Sequence, residues 1–198
     1  MKKWGSVICI ASGPSLTAAD CTLAAMSGLP VIAVNSSWQA IPTCDVVFAG
    51  DWSWWYQHHD QIVSNAERWT VSSMAAARLG INRFTSRFMR PSWNSGMLAI
   101  ELAVSRGARR VWLLGYDCSL EQGSHWHGEH ARGMKNPDQK AIGRWQNEFM
   151  RLQQGEPGVT VVNCSRNTAL TCFPRQSPEA ILLDVDETIA MSNRLGCG

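Results

Sequence analysis

The residues best equipped for chemistry lie in one short run, Ser124-His125-Trp126-His127-Gly128-Glu129-His130, which holds three of the five histidines. Imidazoles at this spacing suit three kinds of work. As neutral ligands they could hold a metal, with Glu129 or Asp117 completing the shell. One of them, His125, His127 or His130, could act as a general base, because an unperturbed imidazole titrates near neutral pH. With Arg132 and Lys135 they could instead bind phosphate. A solvated loop would leave all three idle. His58 and His59, beside Asp60, fall in a helical stretch after Trp55 and read as structural.

A second set of polar residues recurs at the ends of apolar runs. Ala11-Ser12-Gly13-Pro14-Ser15 follows the first run, Asn35-Ser36-Ser37 the second, and Gly50-Asp51-Trp52-Ser53 the third. Gly115-Tyr116-Asp117-Cys118-Ser119 and Asn163-Cys164-Ser165 follow two later ones. Such residues mark turns wherever they occur. If the runs are parallel strands, however, their carboxyl ends share one sheet edge, where ligands of α/β proteins bind. The turn at Ser12–Ser15 lacks both the GK[ST] and the GxGxxG signatures. Its glycine still allows a close backbone approach, and N–H groups before a helix attract phosphate.

The elements that must position these residues alternate along the chain. Val7–Ala11, Val31–Val34, Val46–Ala49, Trp69–Val71, Val111–Leu114 and Val159–Val162 read as strands, and their continuous apolar character suits a buried parallel sheet. Thr17-Ala-Ala-Asp20 starts a helix with a capping box, ending near Gly28. Asn94 or Ser95 caps a helix over 96–105, and Ile142, Trp145, Phe149 and Leu152 mark one face of another. The pattern predicts a Rossmann-like three-layer α/β sandwich with a mostly parallel sheet. Residues 1–175 are expected to form a single nucleotide-binding domain, with 176–198 a C-terminal helical tail.

Composition narrows the class. The 198 residues are 45% hydrophobic and 17% charged, which excludes a disordered chain. No apolar run reaches the length of a membrane span. Seven cysteines without a CxxC pair argue against a disulfide framework or a zinc site and point to a reducing cytoplasm. Seven arginines lie between Arg78 and Arg110 against a single acid, Glu101. With Phe88 and Trp93 interleaved they could hold a nucleic acid strand. A net charge of +2 and an isoelectric point near 8.2 disfavour that partner. Among ten tryptophans, those at 38, 52, 54 and 55 lie near turns and are candidates for a pocket or interface. Cys118, near His125, is better read as a packed thiol than as a nucleophile.

The strings Ile8-Cys9-Ile10-Ala11-Ser12-Gly13-Pro14-Ser15-Leu16, Val34-Asn35, Asn94-Ser95-Gly96-Met97 and Val111-Trp112-Leu113-Leu114-Gly115-Tyr116-Asp117 resemble those of bacterial family 42 sialyltransferases. They also resemble the related domain of archaeal hydroxymethylpterin pyrophosphokinases. Small phage-encoded proteins carry similar strings, including an ending like Val162-Asn163-Cys164-Ser165 with Phe173-Pro174-Arg175. The resemblance implies a nucleotide at the strand ends: Gly13, Pro14 and Ser15 by the phosphates, Asn35 by base or ribose, Ser95 and Gly96 against the nucleotide. The sialyltransferases also hold phosphate with two tyrosines beyond the Gly-x-Asp strand, whereas this chain has only Tyr56 and Tyr116.

Three functions remain open from this reading. The first is transfer from a nucleotide-activated donor, with a histidine of the 125–130 run as base and phosphate held by Ser12–Ser15; it needs no resident cofactor. The second is diphosphate transfer from ATP, for which Mg²⁺ would be held by Asp51 and Asp117. The third is a nonenzymatic nucleotide-binding or phage assembly protein. Leu183-Asp184-Val185-Asp186-Glu187-Thr188 resembles the start of the haloacid-dehalogenase phosphatases. Only ten residues follow it, too few for that domain, so Asp184 is expected to be noncatalytic.

Overall fold

The structure is a computed structural model that describes residues 4–87, 94–128 and 138–184. Seven strands form one sheet, parallel throughout: β1 (Ser6–Ile10), β2 (Val31–Val34), β3 (Val46–Phe48), β4 (Glu67–Thr70), β5 (Asn82–Arg83), β6 (Arg110–Leu114) and β7 (Thr160–Asn163). Their order is β5-β4-β3-β2-β1-β6-β7. The chain thus builds outward from β1 on one side, then crosses back to place β6 on the other. This is a doubly wound α/β fold, and its topological switch lies between β1 and β6.

Five α-helices connect the strands: α1 (Ala18–Met26), α2 (Trp52–His58), α3 (Ser73–Leu79), α4 (Ser95–Ser105) and α5 (Gln139–Gly155). Residues 180–184 begin a further helix. Strand side chains alternate between faces, so β1 sends Val7 and Cys9 one way and Ile8 and Ile10 the other. The first pair joins α4 and α5 through Leu98, Leu102, Phe149 and Leu152. The second packs with Cys21 and Ala24 of α1, Trp54 and Trp55 of α2, Ala75 of α3 and Ile181. Layers of helix, sheet and helix result.

Local chemistry explains the helix ends. Thr17 and Asp20 form the capping box around the start of α1, and Asn94 caps α4 by accepting from Met97 N–H at 3.1 Å. Two elements, β5 and α3, were not anticipated, and α2 begins earlier than the helical stretch expected after Trp55. β5 is a two-residue, solvent-exposed edge strand, too short to carry a period. α2 is built largely from aromatics, which do not favour helices intrinsically. α3 begins at a Ser72 cap and ends at Gly80 with φ +65°, signals present in the sequence but confined to two turns.

The tryptophans expected near a pocket mostly serve the core. Trp55 is fully buried and donates to Ala49 O at 2.9 Å, while Trp54 donates to Ser36 Oγ. The arginine-rich stretch is likewise dispersed. Arg106 chelates Glu67 and lies over Trp4, Arg87 pairs with Glu156, Arg110 pairs with Asp184, and Arg78 lies over Trp52. Arg90, Phe88 and Trp93 lie outside the described residues. Within those residues, no helix is long and apolar enough to cross a membrane.

Candidate functional site

At the carboxyl edge of the sheet a cleft of about 640 Å³ opens over β1, β2, β3 and β6. Its base is the crossing of the loops after β1 and β6. Gly13 N–H donates to Gly115 O at 2.8 Å, and Ala11 N–H to Leu114 O at 2.9 Å. Ser15 then closes on Asp117 twice, its N–H to Oδ2 at 2.8 Å and its hydroxyl to Oδ1 at 2.7 Å. The two loops are in such close contact that a Cβ on Gly13 would come within 2.4 Å of Asp117 Oδ1 and 2.5 Å of Gly115 O.

That crossing bears on two expectations. The amides of Gly13 and Ser15 are donated within the chain, and Leu16 N–H goes to Gly13 O, so with Pro14 lacking an N–H this turn is not an open phosphate cradle. Asp117, expected to do chemistry, has each carboxylate oxygen accepting from Ser15 and is 3% exposed. Burial is the larger influence and raises its pKa, and the bonds from Ser15 oppose it. Its role is to staple the β1 loop to the β6 loop.

The cleft brings together residues from five separate parts of the chain. Ser12, Gly13, Pro14, Asn35, Asp51, Ser95, Gly96, Asp117 and His125 all line the cleft. Ser15 lies just behind, bonded to Asp117. Asn35, the residue after β2, adopts φ +50°, a left-handed conformation that asparagine tolerates better than most residues. Its Oδ1 is buried and accepts no hydrogen bond among the described residues. Asp51 precedes α2 without capping it, and burial raises its pKa.

α4 begins at the cleft. Ser95 Oγ accepts from Gly50 N–H at 3.0 Å, tying the helix start to the β3 loop. Tyr116 donates its hydroxyl to Gly96 O at 3.1 Å, tying the same turn to β6. The start of α4 therefore borders the cleft from a fixed position, where a helix end attracts negative charge.

The histidine run is anchored to the β1 loop. Trp126 N–H donates to Ser12 O at 3.0 Å, and His125 Nδ1 lies 2.9 Å from Ser12 Oγ. His127 stacks on the His125 ring, with centroids 5.0 Å apart, but does not line the cleft. Among the described residues of the run, the histidine that lines the cleft is His125. His130, Glu129, Arg132 and Lys135 lie outside the described residues. No group of three or more His, Cys, Asp and Glu among the described residues is placed to hold a metal. Cys118 has its thiol pushed up to about 12 by burial, which makes it a poor nucleophile.

Lys140 and Arg144 of α5 complete the rim beside Ile142, Trp145 and Phe149, and sequence reasoning missed these two cations. The helical face was recognised from its apolar members, whereas the cleft also takes residues beside that face. The spacing of four between Lys140 and Arg144, one turn apart, was the available signal.

Asp184 is engaged with the sheet. It is 8% exposed and accepts from Arg110, from Trp112 Nε1 at 3.3 Å and from Ser6 Oγ at 3.1 Å. It fastens the start of the last helix to the sheet, away from the cleft.

No family model matches the chain, and neither does any curated protein. Among solved structures it is similar to the MAf glycosyltransferase from Magnetospirillum magneticum AMB-1, with a TM-score of 0.59 and 14% identity over 94% of this chain. The match spans 38% of that longer protein. At this identity the likeness is one of fold.

Proposed function

We propose that the chain is a transferase of the glycosyltransferase kind, taking a nucleotide-activated sugar in the cleft at the β1/β6 switch. The observation that carries this reading is Asn35, a left-handed residue whose buried Oδ1 accepts nothing from the described residues while lining the cleft. A strained backbone and a desolvated acceptor are both costly, and a ligand donor such as a base amino group or ribose hydroxyl would offset them. The glycosyltransferase fold neighbour and the sequence likeness to sialyltransferases and small phage proteins support the same reading, as a phage-encoded enzyme acting in the host cytoplasm.

In this scheme His125 takes the proton from an acceptor hydroxyl. The hydroxyl oxygen then forms a bond to the anomeric carbon, and the bond from that carbon to the phosphate oxygen breaks. The electron pair leaves on the phosphate oxygen of the nucleotide, in a cleft where the dipole of α4 favours negative charge. Asn35 fixes the nucleoside. Asp117, Ser15 and Tyr116 hold the loops that carry these groups.

The test is a thermal-shift screen with CMP, UDP, GDP, ADP and ATP, each with and without Mg²⁺. A bound nucleotide at a hundred times its dissociation constant adds about 2.7 kcal/mol, a readable shift. Failure of every nucleotide to stabilise the protein defeats the proposal. Mg²⁺-dependent consumption of ATP would instead support diphosphate transfer, with Asp51 as the carboxylate not already bonded to Ser15.

A further inference from the structure

Two cations stand on the cleft rim without an ion-pair partner among the described residues. Lys140 and Arg144 are one turn apart on α5, both exposed and both lining the cleft, and neither forms an ion pair among the described residues. The nearest acid on the same helix end, Asp138, accepts from Ala141 N–H at 2.7 Å. Most other arginines with described partners are committed: Arg106 to Glu67, Arg110 to Asp184, Arg166 to Asp20 and Arg87 to Glu156. The contrast sets Lys140 and Arg144 apart.

The cleft therefore has two electropositive features contributed by different helices. α4 offers its amino-terminal N–H groups, worth roughly half a positive charge. α5 offers two full charges at the rim, one of them a guanidinium suited to two phosphate oxygens at once. Of the carboxylates that line the cleft, Asp117 already accepts from Ser15 N–H and Oγ and Asp138 from Ala141 N–H. A nucleoside monophosphate ester carries a single negative charge, which the α4 terminus alone can receive. A diphosphate carries a second, one phosphate further out.

We infer that Lys140 and Arg144 form a subsite for the outer phosphate of a nucleoside diphosphate, so that the donor is a nucleoside diphosphate sugar rather than a monophosphate one. The inference rests on the proposed function and specifies its substrate class. When the donor is cleaved, the charge that develops on the outer phosphate falls beside these two side chains.

Isothermal titration of the full chain with the pairs UMP/UDP, CMP/CDP and GMP/GDP, with and without Mg²⁺, tests it. For at least one base, the diphosphate should bind about tenfold tighter than the monophosphate, the usual worth of a charge-assisted contact. The Lys140→Gln/Arg144→Gln protein should lose that advantage while monophosphate binding stays within about threefold. Both side chains are exposed, and unchanged melting without ligand verifies that the variant folds. Equal binding of the two forms, or a diphosphate advantage that survives in the variant, overturns the inference and leaves the proposed function standing. If no nucleotide of either kind binds, the proposed function itself fails and takes the subsite with it.

Discussion

Adding one methyl group at Gly13 should damage this protein more than any surface change of similar size. Gly13 has no positive φ, so its requirement is for space rather than backbone freedom. An alanine Cβ would meet Asp117 Oδ1 at 2.4 Å, Asp117 Cγ at 2.5 Å and Gly115 O at 2.5 Å. One of these neighbours is backbone and another is held by Ser15 at 2.7 Å, so neither can swing aside cheaply. Relief requires the β1 and β6 loops to separate. Overpacking of this kind costs about 1–3 kcal/mol, and losing one bond to a buried carboxylate adds about 1.5–3 kcal/mol. Gly13→Ala should therefore lose about 3–5 kcal/mol in urea unfolding, a large share of a typical domain's stability. Gly143→Ala is the matched control. That glycine lies inside α5 with nothing within 4 Å of a built Cβ, so alanine should stabilise by about 0.5–1 kcal/mol. A Gly13→Ala protein within about 1 kcal/mol of the parent would refute the idea that the loop crossing is rigid.

Asn35→Gly keeps the left-handed backbone while removing the side chain, and should weaken nucleotide binding by about 1–3 kcal/mol with little change in unliganded melting. Because burial raises the Asp51 pKa, its contribution to stability is full below the ordinary carboxylate value and is lost as pH rises through the raised one. Asp51→Asn should thus flatten the decline in stability above about pH 3.8 and raise the melting temperature at pH 7; a lower melting temperature there would contradict the sign. His125→Ala should cut turnover about a hundredfold or more, whereas His127→Ala should cost far less, and single-turnover assays of both variants distinguish them. Asp184→Asn should lose about 1–3 kcal/mol in chemical unfolding while leaving nucleotide titrations unchanged.

The parallel sheet was legible because buried strands announce themselves. Val31–Val34 and Val111–Leu114 are unbroken apolar runs, and both coincide with β2 and the bulk of β6. The gathering of polar residues at one edge followed from topology once those strands were parallel. What could not be read was the commitment of each polar group. Ser15 and Asp117 are separated by 102 residues, and no local pattern indicates that each satisfies the other. Which histidine of the 125–130 run lines the cleft was hidden for a similar reason: His125 is placed by its contact with Ser12, across 113 residues. Lys140 and Arg144 were passed over because amphipathic analysis follows the apolar stripe, and the site lies at its margin.

These commitments decide which groups remain for chemistry. Three carboxylates border the cleft: Asp51, Asp117 and Asp138. Asp117 is saturated by Ser15, and Asp138 caps α5. Asp51 does not cap the helix it precedes, and no described side chain donates to it. Its cost of burial is therefore not repaid by the fold, which is the usual condition of a group retained for a ligand. Asn35 is in the same position with its buried Oδ1, and the two residues follow adjacent strands, β2 and β3. On the proposed function, the nucleotide lies against the β2/β3 side together with α4, while the β1/β6 side is chiefly the base that carries His125. A nucleotide complex with Asp117 turned onto the ligand and Ser15 released would reverse this division, and Asp51 would then have no role to explain its burial.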